Sequence, residues 1–147
     1  MMVKQILAGA LFGFLAVGVS TQVYAQAEKR QKLMQDQGAA VKAVKAAVEA
    51  KDYAAIEAKA KDLMGSSDQI VGAFPAGSGT GKTKAKPEIW EKSADFAGQA
   101  KALNKAAGEL AAAAKASNDA DIGVKMKAIA DTCGSCHKAF RGEKYGE

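Results

Sequence analysis

The apolar positions of this chain recur in steps of three and four. After Pro87 they fall at Ile89, Ser93, Phe96, Ala100, Leu103, Ala107, Leu110 and Ala114. Such a stripe runs along one side of an α-helix and forms a seam for packing against antiparallel neighbours. Pro87 stands where a first-turn proline is welcome, and Glu88 and Glu91 suit the positive end of the helix dipole. A second stripe comprises Ile122, Met126, Ile129, Cys133, Cys136 and Phe140, with Asn118 or Asp119 able to cap its start. Nearer the N-terminus, residues 27–50 turn Met34, Val41, Val44 and Val48 inward, with Leu33, Ala40 and Ala47 beside them. A shorter helix is predicted over 53–64, with Tyr53, Ile56, Ala60 and Leu63 facing in, Asp52 as its cap and Gly65 as its terminator.

Between about 65 and 86 the periodicity stops. Gly72, Pro75, Gly77, Gly79 and Gly81 predict a long, mobile connection. No segment alternates as a strand would. The fold class that follows is all-α: an antiparallel four-helix bundle with one long crossover loop. A composition rich in Ala, Lys, Leu and Glu agrees with it. The Gly77 to Gly81 stretch is no phosphate loop, because it has neither a preceding strand nor a Lys-Ser/Thr ending in register.

The segment before residue 26 follows another pattern. Lys4 is followed by a nearly unbroken apolar and glycine run from Ile6 to Val19, then by Val23-Tyr24-Ala25. This reads as a secretory signal peptide, residues 1–25, cleaved after Ala25, with the functional domain at 26–147. The run is shorter than the ~20 residues of a spanning helix, and Ala25–Gln26 offers no cysteine for a lipid anchor. The expectation is a periplasmic protein without stable membrane insertion. The formal charge of +5 falls to +4 when Lys4 leaves with the signal. Basic and acidic residues interleave, with no aromatic platform, so a nucleic-acid partner is not expected.

The chemistry lies at Cys133-Gly134-Ser135-Cys136-His137, which holds both cysteines and the one histidine of the chain. This C-x-x-C-H pattern is that of c-type haem attachment. Cysteines three apart on a helix present both sulfurs to the two vinyl groups of one porphyrin, and the adjoining histidine can turn its imidazole to the iron. A thioredoxin-like pair expects a βαβ setting, and a closed zinc site needs a fourth ligand that two Cys and one His cannot supply. Export fits as well, because bacterial c-type haem is attached outside the cytoplasm. One covalent haem c is expected, on Cys133 and Cys136, with His137 as a ligand to the iron.

With His137 used, a sixth ligand must come from Met, Lys, the N-terminal amine or water, or be missing. Met126 lies eleven residues before His137 on the same helix, about 16 Å away, and cannot reach the opposite haem face. Met64 lies at the end of the second helix. Met34 is on the inward stripe of the first helix, with Gly38 one turn on to leave room for a flat macrocycle. Spacing alone leaves Met34 open between ligand and ordinary core filler. Leu33, Val41, Trp90, Phe96 and Phe140 are candidate wall residues, or simply core.

Taken together, several segments resemble the class II c-type cytochromes, the cytochrome c′ and c-556 group. They are the C-x-x-C-H motif followed by Phe140 and Arg141, Phe74-Pro75 in the glycine-rich crossover, Lys86-Pro87-Glu88-Ile89-Trp90, and Arg30-Gln31-Lys32-Leu33-Met34 followed by Gly38. The resemblance implies a bundle with haem between helices near one end. It implies that Arg30 and Gln31 lie against the haem and its propionates, that Met34 faces the distal side of the iron, and that Arg141 sits on the proximal side. In cytochrome c′ proper the distal position holds a non-ligating residue, and the five-coordinate iron binds NO or CO. In the c-556-like subgroup it holds Met, and the six-coordinate iron carries electrons. The Met at position 34 makes a periplasmic electron carrier, not an enzyme, the leading expectation, with His137 and Met34 as iron ligands. A five-coordinate gas-binding protein is the alternative. Expected partners are periplasmic or membrane-bound redox proteins, and a homodimer is possible in this family.

Overall fold

A computed structural model of the chain describes residues 15–143. Five helices follow one another: α1 (Leu15–Glu49), α2 (Tyr53–Ser67), α3 (Glu88–Glu91), α4 (Ser93–Lys115) and α5 (Asp119–Phe140), with a 3-10 turn at Val71–Ala73. The four long helices pack α1 on α2, α2 on α4 and α4 on α5. Of the expected signal segment, residues 1–14 lie outside the described residues, and α1 runs without a break through residue 25.

The two short turns share one design. Lys51 and Ser117 adopt left-handed backbone angles, φ +53° and +52°. Each follows a helix end whose carbonyls are closed by paired backbone bonds: Lys51 N to Val48 O and Asp52 N to Ala47 O, then Ser117 N to Ala114 O and Asn118 N to Ala113 O. This double closure is the Schellman arrangement. The next residue then caps the following helix: Asp52 accepts from Ala55 N at 2.9 Å and Asn118 from Asp121 N at 3.2 Å. Asp119 ties the turns together, accepting from Lys51 Nζ at 3.1 Å and Tyr53 OH at 2.8 Å. Both turns therefore lie at one end of the bundle, and the start of α1, the crossover and the end of α5 lie at the other.

The core follows the stripes. Ile56, Leu63, Leu110, Ile122, Ile129 and Val44 are fully buried, and Ala60, Ala107 and Ala114 let the central helices approach closely. Four expectations need correction. Ser93 is exposed rather than inward. The helix after Pro87 breaks at Lys92 (φ −115°, ψ 47°), which leaves α3 as a separate turn with Ile89 still buried. Gly65 does not end α2; the helix continues to Ser67, where the Ser66 and Ser67 hydroxyls donate to Leu63 O and Met64 O. The crossover is pinned rather than loose: Ile70, Ala73 and Ser78 are buried, and Trp90 Nε1 donates to Phe74 O and Pro75 O.

On α1 the buried stripe is shifted by one residue. Arg30, Leu33, Gln37, Val44 and Ala47 face the interior, and Met34, Val41 and Val48 flank them half-buried. Two polar residues thus stand on an apolar seam at the crossover end. Among the described residues no helix is long and apolar enough to cross a membrane.

Candidate functional site

The bundle is open at that same end. A cavity of about 720 Å³ lies between the first half of α1 and the last turns of α5. This is within the range of cofactor pockets, ~300–1,000 Å³. Its α4 side is Phe96, Gln99, Ala100 and Leu103, and the crossover closes it with Phe74, Lys82, Thr83, Lys84 and Ala85. Phe74, Phe96 and Phe140 stack edge to face in sequence, with centroids 5.0 and 5.2 Å apart, so the crossover, α4 and α5 meet in one aromatic row.

Cys133, Cys136 and His137 all line this cavity from the last turns of α5. Helical spacing of three and four residues is what puts them on one face. Both cysteines are half-buried free thiols, and burial pushes their pKa values up. His137 is held below its ordinary pKa, first by desolvation and then by the positive charge of Arg141. Both effects favour the neutral imidazole, whose nitrogen lone pair can serve a metal. The motif is anchored on both sides. Ser135 Oγ lies 3.0 Å from Gln99 Oε1 on α4, and Arg141 N donates to His137 O at 3.0 Å.

The end of α5 is also joined to the crossover. Lys86 N donates to Phe140 O at 3.0 Å and Gly142 N to Lys84 O at 2.8 Å, around an antiparallel bridge between Ala85 and Arg141. This short ladder sets the crossover beside the residues that follow His137.

Arg30 and Met34 line the opposite wall from α1, with Gln31 and Gln37. Arg30 is only 5% exposed. Its Nη2 donates to Ser78 O at 2.7 Å, its Nε to Gln26 O at 3.1 Å, and its guanidinium lies 4.8 Å from the Phe74 ring centroid. Burial lowers its pKa, yet a guanidinium remains charged. Arg30 Nη1 and Gln37 Nε2 are buried with no hydrogen-bond partner. Such orphans in a cavity wall suit a ligand with acceptor groups.

Of the expected wall residues, Phe96 and Phe140 line the cavity, whereas Leu33, Val41 and Trp90 do not. Leu33 belongs to the core and Trp90 packs on Phe74 and the crossover. Gly38 does not border the cavity either. Met64 and Met126 are absent from the lining, so Met34 is the one methionine there among the described residues. The cavity is also lined by Phe74, Ile89 and Leu103, which the sequence marked as crossover or seam rather than as wall, and by Gln37, which reading the sequence missed. Gln37 could have been found, since it stands seven residues after Arg30 and three after Met34 on one helix.

Two thiols and a neutral imidazole on one face, an apolar aromatic floor, and a buried cation with a spare donor opposite together fit haem c: sulfurs for attachment, nitrogen for iron, guanidinium for a carboxylate. Comparison with known proteins agrees. Residues 25–141 match the family model of cytochrome c′. A cytochrome c-556 of Agrobacterium fabrum is 33% identical over 149 residues, covering 98% of this chain and 99% of the relative. A cytochrome c′ of Shewanella frigidimarina superposes with a TM-score of 0.75 at 27% identity, over 82% of this chain and 97% of that one. A nitric oxide complex of a mutant cytochrome c′ from Alcaligenes xylosoxidans gives 0.74 at 26% identity, over 83% and 97%. This chain belongs to the cytochrome c′ family and is a class II c-type cytochrome carrying one haem c.

Proposed function

We propose that the protein is exported to the periplasm, with residues 1–25 as its signal, and acts there as a one-haem electron carrier. Cys133 and Cys136 would hold the haem through thioether bonds, and His137 and Met34 would be the side chains that ligate its iron. The observation that carries this reading is that Met34 lines the same cavity as Cys133, Cys136 and His137, from the facing helix. When bound, haem c supplies an iron that cycles between ferrous and ferric states.

The remaining work falls to the protein's own side chains. Desolvation and then Arg141 disfavour a proton on His137, which favours the form that can ligate iron. The Met34 thioether is a soft donor, and His/Met ligation raises the potential. Arg30 offers its unpartnered Nη1 to a propionate, with Gln31 beside it on the cavity wall. Phe74, Phe96 and Phe140 exclude water from the centre.

A second reading has a specific observation behind it. Three solved structures of variants of one relative, the cytochrome c′ of Alcaligenes xylosoxidans, at 25–26% identity, hold nitric oxide, and this neighbour weighs toward an open, five-coordinate gas-binding iron. The distal donor decides between the two. The ferric holoprotein should show a low-spin Soret band and a weak sulfur-to-iron charge-transfer band. Met34→Leu should then turn it high-spin and let the ferrous form bind CO promptly. A high-spin wild-type spectrum with prompt CO binding would overturn the electron-carrier reading in favour of the gas-binding one.

A further inference from the structure

Gln37 is a polar residue where the α1 seam calls for an apolar one. It stands with Leu33, Val44 and Ala47 on the buried stripe and is only 8% exposed. Its Nε2 is sealed from solvent and meets no acceptor within the protein. An amide donor left in that state carries its full desolvation penalty, which a leucine would avoid. The other glutamines that α1 brings to the cavity near Met34, Gln31 and Gln35, are exposed and open to water. Gln37 borders the cavity as well, so the acceptor it lacks is one that the cavity receives.

Two unpartnered donors belong to side chains that line the cavity from α1, Arg30 Nη1 and Gln37 Nε2. They are not placed to share one acceptor. Seven residues separate them, about 10 Å along the helix axis. The Arg30 head is also drawn the other way: its Nε donates to Gln26 O, one turn toward the N-terminus, and its Nη2 to Ser78 O on the crossover. Met34 stands between the two, about 6 Å from Arg30 and about 4.5 Å from Gln37 along the axis. Haem c offers acceptors of two kinds, its carboxylates and whatever ligand occupies its iron, because the porphyrin nitrogens are taken by the metal. With a carboxylate assigned to Arg30 and the iron to Met34, the acceptor left for Gln37 is the iron's distal ligand.

We propose that Gln37 is the hydrogen-bond donor of the distal iron position, so that the site favours small ligands with an acceptor atom, anions foremost. The surroundings strengthen such a bond. Ile70, Phe96, Ala100 and Leu103 line the same cavity and are buried and apolar, and a hydrogen bond in a low-dielectric interior is electrostatically stronger than one in water. Thr132, on the α5 wall, does not compete, because its hydroxyl donates to Ala128 O at 2.8 Å. That Met34 stands at the distal face rests on the proposed function; the unpartnered amide one turn beyond it does not.

The test uses holoprotein carrying Met34→Leu, which opens the distal position, with and without Gln37→Leu. The probes are cyanide on the ferric form and carbon monoxide on the ferrous form. Because a hydrogen bond to a charged acceptor is lost, Gln37→Leu should weaken cyanide binding about tenfold or more. The infrared C–O stretch should rise in the same variant, since a donor at the oxygen favours back-donation from iron and weakens the C–O bond. Where Gln37 is present the C–O band should shift in heavy water, as the amide hydrogens exchange, and this reads the bond in a protein whose Gln37 is intact. Gln35→Leu, at an exposed position on the same helix, should change neither readout. An unchanged cyanide affinity, a C–O band that stays or falls, or a band indifferent to heavy water would overturn the proposal. The wild-type spectrum reads the proposed function separately: a high-spin wild type would sink Met34 ligation, and the same measurements made on it without Met34→Leu would still decide Gln37.

Discussion

Gly79→Ala is a sharp test of how the crossover is held at the cavity. A Cβ added at Gly79 would stand 2.7 Å from Trp90 Cζ3, 2.8 Å from Cη2 and 3.2 Å from Cε3. Real Cβ contacts do not come that close, so either the ring or the loop must move. The ring is not free to swing. Its Nε1 donates to Pro75 O at 2.9 Å and Phe74 O at 3.2 Å, and it packs on Phe74 at 6.5 Å between centroids. If the loop moves, the cost is that of overpacking, about 1–3 kcal/mol. If the ring moves, it forfeits a hydrogen-bonding group worth about 1 kcal/mol and an aromatic contact worth ~0.5–1.5 kcal/mol. Both routes converge near 2 kcal/mol. With a urea slope of ~1–3 kcal/mol/M, the unfolding midpoint should fall by about 1 M. The measurement is urea denaturation of the holoprotein, followed by far-UV circular dichroism and by the emission of Trp90, the one tryptophan in the chain. Gly72→Ala is the control, since a Cβ there meets nothing within 4 Å. An unchanged midpoint in Gly79→Ala, with Trp90 emission as in the wild type, would refute the clamp.

Three further outcomes follow from the same geometry. Gln37→Leu removes a buried donor that has no partner within the protein and that the cavity offers to a bound acceptor, so it should destabilise the holoprotein by about 1–2 kcal/mol in urea; a gain instead would mean that the amide stays unpaired beside the cofactor. Ser117→Gly relieves a left-handed backbone at φ +52° and should raise the unfolding free energy in urea by about 0.5–1 kcal/mol, whereas a drop would show that the serine itself holds the turn. The Asp119 carboxyl is held below its ordinary pKa by the Tyr53 hydroxyl and then by Lys51. Its folded pKa lies below the unfolded one, so its stabilising effect is present above the unfolded value and fades as pH drops through the folded one. Asp119→Asn should therefore be less stable than wild type at neutral pH and converge with it in acid, and a gap that is independent of pH would refute the assignment.

Much of this molecule is legible from local pattern. The four long helices, their caps at Asp52 and Asn118, and the placement of Cys133, Cys136 and His137 on one face all depend on a period of 3.6 residues and on side chains acting on their own backbone. Those causes lie within a few residues of each other, so the sequence exposes them. The haem follows in the same way, because attachment and ligation need sulfur, sulfur and nitrogen within one helical turn and a half.

What lay beyond the sequence depends on contacts between distant segments. Periodicity set Met34 on the centre of the α1 stripe, but packing turned the helix by a residue, with Arg30 and Gln37 on the seam and Met34 at the cavity wall. Arg30 is buried because Ser78 and Phe74, more than forty positions later, receive it. Nothing near Gly79 or Trp90 in sequence announces that one must lack a side chain so that the other can lie against it. The break at Lys92, the helix running past Gly65 and the ladder from 84–86 to 140–142 are likewise settled by what the crossover meets when the bundle closes. The sequence by itself determined the helices and the chemistry of the cofactor, through interactions one turn long. Only the tertiary structure decided which side chains surround that cofactor, because those depend on segments brought together by the burial of a shared core.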